Sequence, residues 1–323
     1  MKEINIKNLI IGAGPAGLTT ATLLQKAGQE TLVLERLDLT AKDKLCGGIV
    51  MPVTLKELQQ IFETNFEPLV KNHNLKTIVI NPTGERRQIG DGLFTVNRQE
   101  FDRTLAKLYQ EKGGKIKDCC IIQNIDLERK KLKYTDSRSN EAAMIRFERL
   151  IAADGASSPT RYLLTETAPR VLPALETYVP NLYPDAFLVK LSEDLAGYAW
   201  YIPQGEQANL GCVYYDGQGA ISREILEQHF YAFAKELQLE VKDYRGATIP
   251  CGNDIFLQKG DCYFVGDAAG FIDPISCGGI HCAVTSGSIL ADCLLHNKKY
   301  SNTMLPIILN QLQTYRGRAE DVK

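Results

Sequence analysis

One tryptophan in 323 residues, no long apolar run and no excess of either charge set the first limits on this sequence. No stretch approaches the roughly 18 consecutive apolar residues of a membrane span, so no transmembrane helix is expected. The N-terminus shows no charged segment, apolar stretch and small-residue cleavage site in succession. A secretory leader is therefore not expected, and a cytoplasmic location is. The 37 Lys and Arg against 39 Asp and Glu leave a formal net charge of −2. With no basic stripe, nucleic acid is not an expected partner, and the basic run within Glu128–Lys133 reads as a solvated strand or turn. The nine cysteines are an odd, scattered set in which only Cys119 and Cys120 adjoin, which argues against a disulfide framework. Cys277 and Cys282 lack a matching second pair, so no metal is expected. Internal repeats and low-complexity linkers are absent as well.

What is present starts at once. An apolar strand from Asn8 runs into Gly12-Ala13-Gly14-Pro15-Ala16-Gly17, then an amphipathic helix, then a strand Thr31–Leu34 ending at Glu35 and Arg36. This is the βαβ pattern of a dinucleotide-binding unit. Gly12 allows the tight turn, Gly14 lets backbone approach a pyrophosphate, and Gly17 lets the helix pack close to the strand. The helix N-terminus offers free N–H groups and partial positive charge to phosphate. Glu35, 18 residues beyond Gly17, stands where a carboxylate accepts hydrogen bonds from an adenosine ribose.

Further along, the pattern predicts a helix over Leu55–Phe62. Strands are expected at Leu75–Ile80 and Glu85–Ile89, around the turn Asn81-Pro82-Thr83-Gly84. Arg98–Lys112 is an amphipathic helix with Phe101, Leu105 and Leu108 on its apolar stripe, stopped by Gly113-Gly114. Strands are expected at Lys115–Ile122, Ile125–Leu127, Lys131–Thr135, Met144–Phe147 and Leu150–Ala153. An antiparallel sheet follows at Val171–Val179, Ala186–Leu191, Gly197–Pro203 and Ala208–Tyr215, then a helix at Ser222–Leu237. A strand Cys262–Val265 and helices at Gly279–His296 and Ser301–Arg316 close the chain. The expected fold is α/β. A Rossmann-like domain is made of 1–70, 95–165 and 255–300, an inserted antiparallel-sheet substrate domain of 71–94 and 166–254, and a C-terminal helix of 301–323.

Two later segments echo the first motif. One is Ala152-Ala153-Asp154-Gly155; the other is Gly266-Asp267-Ala268-Ala269-Gly270, with Pro274 and Gly278-Gly279-Ile280 behind it. Their order resembles the FAD-dependent oxidoreductases of the glutathione reductase/para-hydroxybenzoate hydroxylase type, over nearly the whole chain. The resemblance implies FAD as cofactor, held by the phosphate motif, Glu35, Arg36, Arg98, Asp154, Gly155, Gly266, Asp267, Pro274, Gly278, Gly279 and Ile280. A carboxylate at Asp267 suits a ribitol hydroxyl, and N–H groups at Gly278-Gly279 suit negative charge on the flavin pyrimidine. A guanidinium at Arg98 suits phosphate. No second dinucleotide motif appears, so the electron donor is expected to be transiently bound NAD(P)H or a reduced carrier protein.

Two more segments narrow the branch: Lys44-Leu45-Cys46-Gly47-Gly48, and Gly197-Tyr198-Ala199-Trp200-Tyr201-Ile202-Pro203, which holds the only tryptophan. Together they resemble the geranylgeranyl reductase family, which has a Cys-Gly-Gly loop near the flavin and a Tyr-x-Trp-x-Phe-Pro strand lining a lipid pocket. Ile202 stands where Phe is usual. The resemblance implies reduction of an isoprenoid double bond, with Cys46, Tyr198 and Trp200 as catalytic candidates and Cys46, Gly47 and Gly48 beside the flavin. By period two, Tyr198, Trp200 and Ile202 share one face and Tyr201 takes the other. A small-molecule or lipid-like substrate is implied, which leaves peripheral membrane contact open. Family members usually continue with further C-terminal helices, so a reduced lipid-pocket lid or membrane-facing surface is expected here, with a substrate that is smaller or not an isoprenoid at all. The competing readings are a flavin monooxygenase of aromatic hydroxylase or halogenase outline, since Tyr-x-Trp-x-Ile-Pro is one residue from the halogenase Trp-x-Trp-x-Ile-Pro, and a flavin-binding redox or sensor protein without turnover.

Overall fold

The computed structural model describes residues 3–44, 46–216, 221–273 and 276–320, without the side chains of residue 3 and residues 315–320. Leu45 and Pro274, both named above, lie outside the described residues, as do the ends 1–2 and 321–323 of the expected domains. In chain order the elements are β1 (Glu3–Ile11), α1 (Pro15–Lys26), β2 (Thr31–Leu34), β3 (Ile49–Val50), α2 (Pro52–Phe62), β4 (Val70–Ile80), β5 (Arg86–Val96), α3 (Arg98–Glu111), β6 (Lys115–Lys117), β7 (Cys120–Asp126), β8 (Lys131–Asp136) and β9 (Ala142–Ala152). Then come α4 (Pro159–Thr165), β10 (Val171–Pro180), β11 (Ala186–Leu191), β12 (Ala196–Gln204), β13 (Gln207–Tyr215), α5 (Arg223–Glu236), β14 (Arg245–Pro250), β15 (Gln258–Lys259), β16 (Cys262–Phe264), α6 (Ile280–Leu295) and α7 (Tyr300–Glu320).

Two sheets carry the α/β architecture. The first has the path β15-β16-β9-β1-β2-β6, with β16, β9, β1, β2 and β6 mutually parallel, and β8 and β7 added antiparallel from β9. Parallel strands buried on both faces read as apolar runs, and Leu9, Ile10 and Ile11 of β1 fit that rule. The helix α1 crosses α6 closely at Gly287, where a Cβ would stand 2.7 Å from the Ala16 carbonyl oxygen. Thr20 Oγ1 donates to the Gly287 carbonyl across that contact at 3.2 Å.

The second sheet has the order β14-β10-β13-β12-β11-β4-β5-β3 and is antiparallel except at β11–β4. One of its faces packs on α5 through Tyr201, Leu210, Tyr214, Phe230 and Phe233. The opposite face presents Leu172, Ala174, Trp200, Ile202 and Val213. Period two therefore separates Trp200 and Ile202 from Tyr201 as expected.

Several strand expectations need correction. Met144–Phe147 and Leu150–Ala152 belong to one strand, β9, because the chain stays extended through the polar Glu148 and Arg149, with Arg149 opposite Asn8 of β1. Lys115–Ile122 is instead broken in two, because Cys119 takes a left-handed φ of 56°. The strand expected at Glu85–Ile89 runs on to Val96, with repeated register shifts against β4 absorbing its glycines. β3, β14 and β15 are short or polar and carry no clear alternation. β3, inside segment 1–70, pairs with β5 of the second sheet.

Candidate functional site

The glycines of the first motif separate by what a side chain would meet. At Gly12, with φ +106°, a Cβ would lie 2.3 Å from the Ala153 carbonyl oxygen, and at Gly17 it would lie 2.1 Å from the Gly12 carbonyl oxygen. These two hold the turn against β9 and the helix against the turn. Gly14 is different: nothing lies within 4 Å of its Cβ position. As N-cap of α1 it supplies no side-chain acceptor, and Pro15 follows it. The backbone at Gly14 thus borders open space at the start of α1, and no side chain caps that helix N-terminus, an arrangement that suits a pyrophosphate.

Glu35, at the end of β2, closes one side of this turn. Its Oε2 accepts from Ala13 N–H at 2.9 Å and Lys42 Nζ at 2.8 Å, and its Oε1 accepts from Leu37 N–H at 3.0 Å. A carboxylate has roughly four acceptor positions, so these three donors leave one on Oε1 for a ribose hydroxyl. Burial opposes ionisation of Glu35, yet the Lys42 cation and the surrounding donors together hold its carboxyl below the usual 4.5. Lys42, which sequence reasoning missed, is itself buried and also donates to the Ala13 carbonyl at 2.6 Å. Arg36 is exposed. A group with a depressed folded pKa stabilises above its unfolded value, and that stability is lost as pH falls through the folded value. Glu35→Gln is therefore expected to cost about 3 kcal/mol at neutral pH, the scale for breaking a buried pair and stranding Lys42. The deficit should shrink on acidification below 4.5. Urea denaturation across that range checks it, and a gap independent of pH would contradict it.

The second motif is turned toward its own helix. Asp154 accepts from Ser158 Oγ at 2.7 Å and Thr160 N–H at 2.8 Å, so it braces the start of α4. Burial pushes its carboxyl up. Gly155 takes φ +85° just after it.

The third motif meets the Cys-Gly-Gly segment. Lys44 Nζ lies 3.1 Å from Asp267 Oδ2, and this carboxylate raises the lysine pKa. A Cβ on Gly279, the N-cap of α6, would lie 2.9 Å from Asp267 Oδ1, so Asp267 sits directly against the uncapped start of α6. Gly266 N–H donates to Ser286 Oγ at 2.9 Å, which ties the motif to α6. Gly278 and Ile280 flank that N-cap.

The loop 46–48 docks on the Trp200 and Ile202 face of β12, the one turned away from α5. Gln204 Nε2 donates to the carbonyls of Cys46 at 3.1 Å and Gly47 at 2.7 Å. A Cβ on Gly47 would stand 2.2 Å from Ile202 Cδ1, and one on Gly48, at φ +67°, 2.0 Å from the Val96 carbonyl oxygen. Cys46 also meets the guanidinium of Arg98, which is buried and forms a two-pronged pair with Asp102 at 3.0 and 2.9 Å. Burial works against the Arg98 charge, but Asp102 and Cys46 outweigh it and raise the pKa. The Tyr198 hydroxyl donates to the Ser276 carbonyl, in the segment before α6. The structure thus brings Cys46, Gly47, Gly48, Arg98, Tyr198, Trp200, Asp267 and Gly279 to one junction between the sheets, with the Gly12–Gly17 turn and Glu35 beyond it. Asp154 adjoins the Gly12 turn, its backbone N 3.1 Å from where a Gly12 Cβ would stand, and Arg36 is exposed.

Glu176 on β10 is the main residue that sequence reasoning missed. It shares the Leu172 and Ala174 face, is 4% exposed, and feels the charges of Lys44, Arg98 and Arg245. Its signal was a lone acid at an inward position of a strand. Tyr178, two residues on, is pushed up to about 12 by burial.

A family model described as FAD binding domain matches residues 5–242. A digeranylgeranylglycerophospholipid reductase of Picrophilus torridus is 26% identical over 335 residues, spanning 94% of this chain and 82% of that protein. The solved structure of a geranylgeranyl bacteriochlorophyll reductase-like protein from Thermoplasma acidophilum superposes with a TM-score of 0.82 at 21% identity, covering 98% of this chain and 87% of that one. A myxobacterial chondrochloren halogenase superposes with a TM-score of 0.72 at 18% identity, covering 94% and 78%. Among the described residues no helix is long and apolar enough to cross a membrane.

Proposed function

The chain belongs to the FAD binding domain family and is an FAD-dependent oxidoreductase related to geranylgeranyl reductases; from that premise we propose that it saturates carbon–carbon double bonds of an isoprenoid or similar apolar substrate. The observation that carries this reading is the docking of the Cys46–Gly48 loop on the Trp200, Ile202 and Gln204 face of β12, beside Asp267 and Gly279. It makes a wall of indole and aliphatic carbon next to the third flavin motif. An apolar chain laid on that wall loses water, and the wall fixes which double bond meets the cofactor.

In this proposal the Gly12–Gly17 turn and the start of α1 hold the pyrophosphate, and Glu35 takes a ribose hydroxyl. Asp267 and the N–H groups at Gly278-Gly279 hold the ribitol and pyrimidine side. Reduced FAD, when bound, supplies hydride from N5. NAD(P)H or a carrier protein is the proposed source of electrons. Cys46 shapes the pocket beside Arg98, and Tyr198 fastens β12 to the segment before α6.

The test is anaerobic: the purified yellow protein is reduced, then mixed with geranylgeranyl lipid. Flavin reoxidation matched by loss of double bonds is expected. Hydroxylated product formed only with oxygen would place the protein among the monooxygenases instead. Trp200→Phe is expected to keep FAD bound while lowering turnover by up to about 10²-fold, the scale on which misplacing a substrate by an ångström costs rate. Unchanged kinetics would remove Trp200 from the pocket. Phenylalanine is the better probe because Trp→Ala at a buried site opens a cavity costing about 3–5 kcal/mol.

A further inference from the structure

Across the face that carries Trp200, three strands place three polar side chains in a row. Gly211 of β13 pairs with Glu176 of β10 on one side and with Trp200 of β12 on the other. A Cβ on Gly211 would lie 2.3 Å from Trp200 Cζ2 and 2.6 Å from the Leu175 carbonyl oxygen, so the bare glycine lets the indole lie flat across β13. Asn209, two residues along on the same face and fully buried, then bridges the gap. Trp200 Nε1 donates to Asn209 Oδ1 at 2.6 Å, and Asn209 Nδ2 donates to Glu176 Oε2 at 3.1 Å.

This row fixes the location of a proton. An indole N–H can only donate, so Asn209 must turn Oδ1 toward Trp200 and Nδ2 toward Glu176. Glu176 Oε2 must therefore accept. When the acid is neutral its carbonyl oxygen is the stronger acceptor, which puts the hydroxyl on Oε1. That oxygen forms no hydrogen bond among the described residues. The titratable and charged neighbours are Lys44, Arg98, Arg245, Tyr178 and Cys212. Burial is the largest influence on Glu176 and raises its pKa against the pull of Asn209 and the three cations.

We propose that Glu176 is the acid of the pocket, carrying on Oε1 the proton that completes reduction of the double bond. The inference rests on the alkene-reductase reading above and names the proton source for it. The balance is simple. One alkene carbon gains a hydride, with its two electrons, from reduced flavin. The former π pair forms the second C–H bond with the Oε1 proton. Glu176 is left as a carboxylate and regains a proton from water. Asn209 is a positioning residue that keeps Oε2 occupied.

The experiment compares wild-type holoprotein with Glu176→Gln, whose amide oxygen still accepts from Asn209 Nδ2 but whose NH2 is no acid. Infrared spectra across the carboxyl region are taken as a function of pH. Wild type is expected to show a protonated-carboxyl band persisting above the ordinary glutamic acid range and missing from the variant. FAD content and the emission of the single tryptophan should match between the two. Anaerobically reduced samples are then mixed with geranylgeranyl lipid, where the variant should reoxidise about 10²-fold or more slowly, the usual worth of a general acid. If wild type and variant reoxidise at the same rate, Glu176 is not the acid. If neither touches the lipid, the reductase reading fails by itself, and the infrared band still decides whether Glu176 is a neutral acid. Absence of that band in wild type overturns the proposal in every case.

Discussion

Replacing Gly14 with valine is expected to give a folded protein with no flavin. Three glycines share the first motif, but only one can lose its bareness without disturbing the chain. A Cβ at Gly12 or Gly17 runs into backbone at 2.3 or 2.1 Å, so substitution there damages the turn itself. Gly14 has φ −97° and ψ −178°, an extended conformation open to any residue, and nothing within 4 Å of its Cβ position. Valine therefore fits the protein and occupies only the space in front of the first turn of α1. That space is where a pyrophosphate must come within hydrogen-bond reach of backbone N–H groups. Helix content and melting temperature should stay close to wild type, while visible flavin absorbance falls to background even with added FAD. Wild-type flavin content in a folded variant would refute the assignment of this turn to the cofactor. Loss of fold together with loss of flavin would show that the space is not as open as the structure has it.

The contrast among these glycines also explains what was legible in the sequence. The βαβ unit reads directly because each of its requirements is local: a turn, a helix start, an acid at a strand end. The α/β class and the alternation that sets Trp200 and Ile202 against Tyr201 were legible for the same reason. Strand limits were not. Whether Glu148 and Arg149 interrupt a strand depends on β1 lying alongside, and whether Cys119 breaks one depends on a backbone angle that no propensity encodes for cysteine. The site shows the same divide. Asn209 lies in the strand expected at Ala208–Tyr215, yet its task appears only when Glu176, 33 residues earlier, is brought opposite the same glycine as Trp200. Lys42 left no signal at all, since a lysine in a polar loop reads as solvated until the loop folds it onto Ala13 and Glu35. A lone glutamate between inward apolar positions was the one clue in plain sight.

Arg98 poses the sharpest question about the cofactor side. The family resemblance sends it to the FAD phosphate region, whereas the structure buries it against Asp102 with Cys46 adjoining. Arg98→Met alone is expected to cost about 3–5 kcal/mol of stability, because Asp102 is left as an unpaired buried charge. That loss says nothing about FAD. In the double variant Arg98→Met, Asp102→Leu neither charge remains, and buried pairs replaced by apolar residues of similar size are often neutral in stability. The double variant should therefore recover most of the denaturation midpoint, and its FAD affinity isolates the remaining role of the guanidinium. Hydrogen bonds to charged groups are worth about 1.5–3 kcal/mol, so a phosphate contact predicts FAD bound about 10- to 100-fold more weakly. Wild-type affinity in the recovered double variant would make Arg98 a structural brace for the Cys46 loop and take it out of the cofactor site. The pair Arg98–Asp102 spans one turn of α3, so both substitutions stay within a single helix and leave its Asn97 cap, which accepts from Glu100 N–H, untouched.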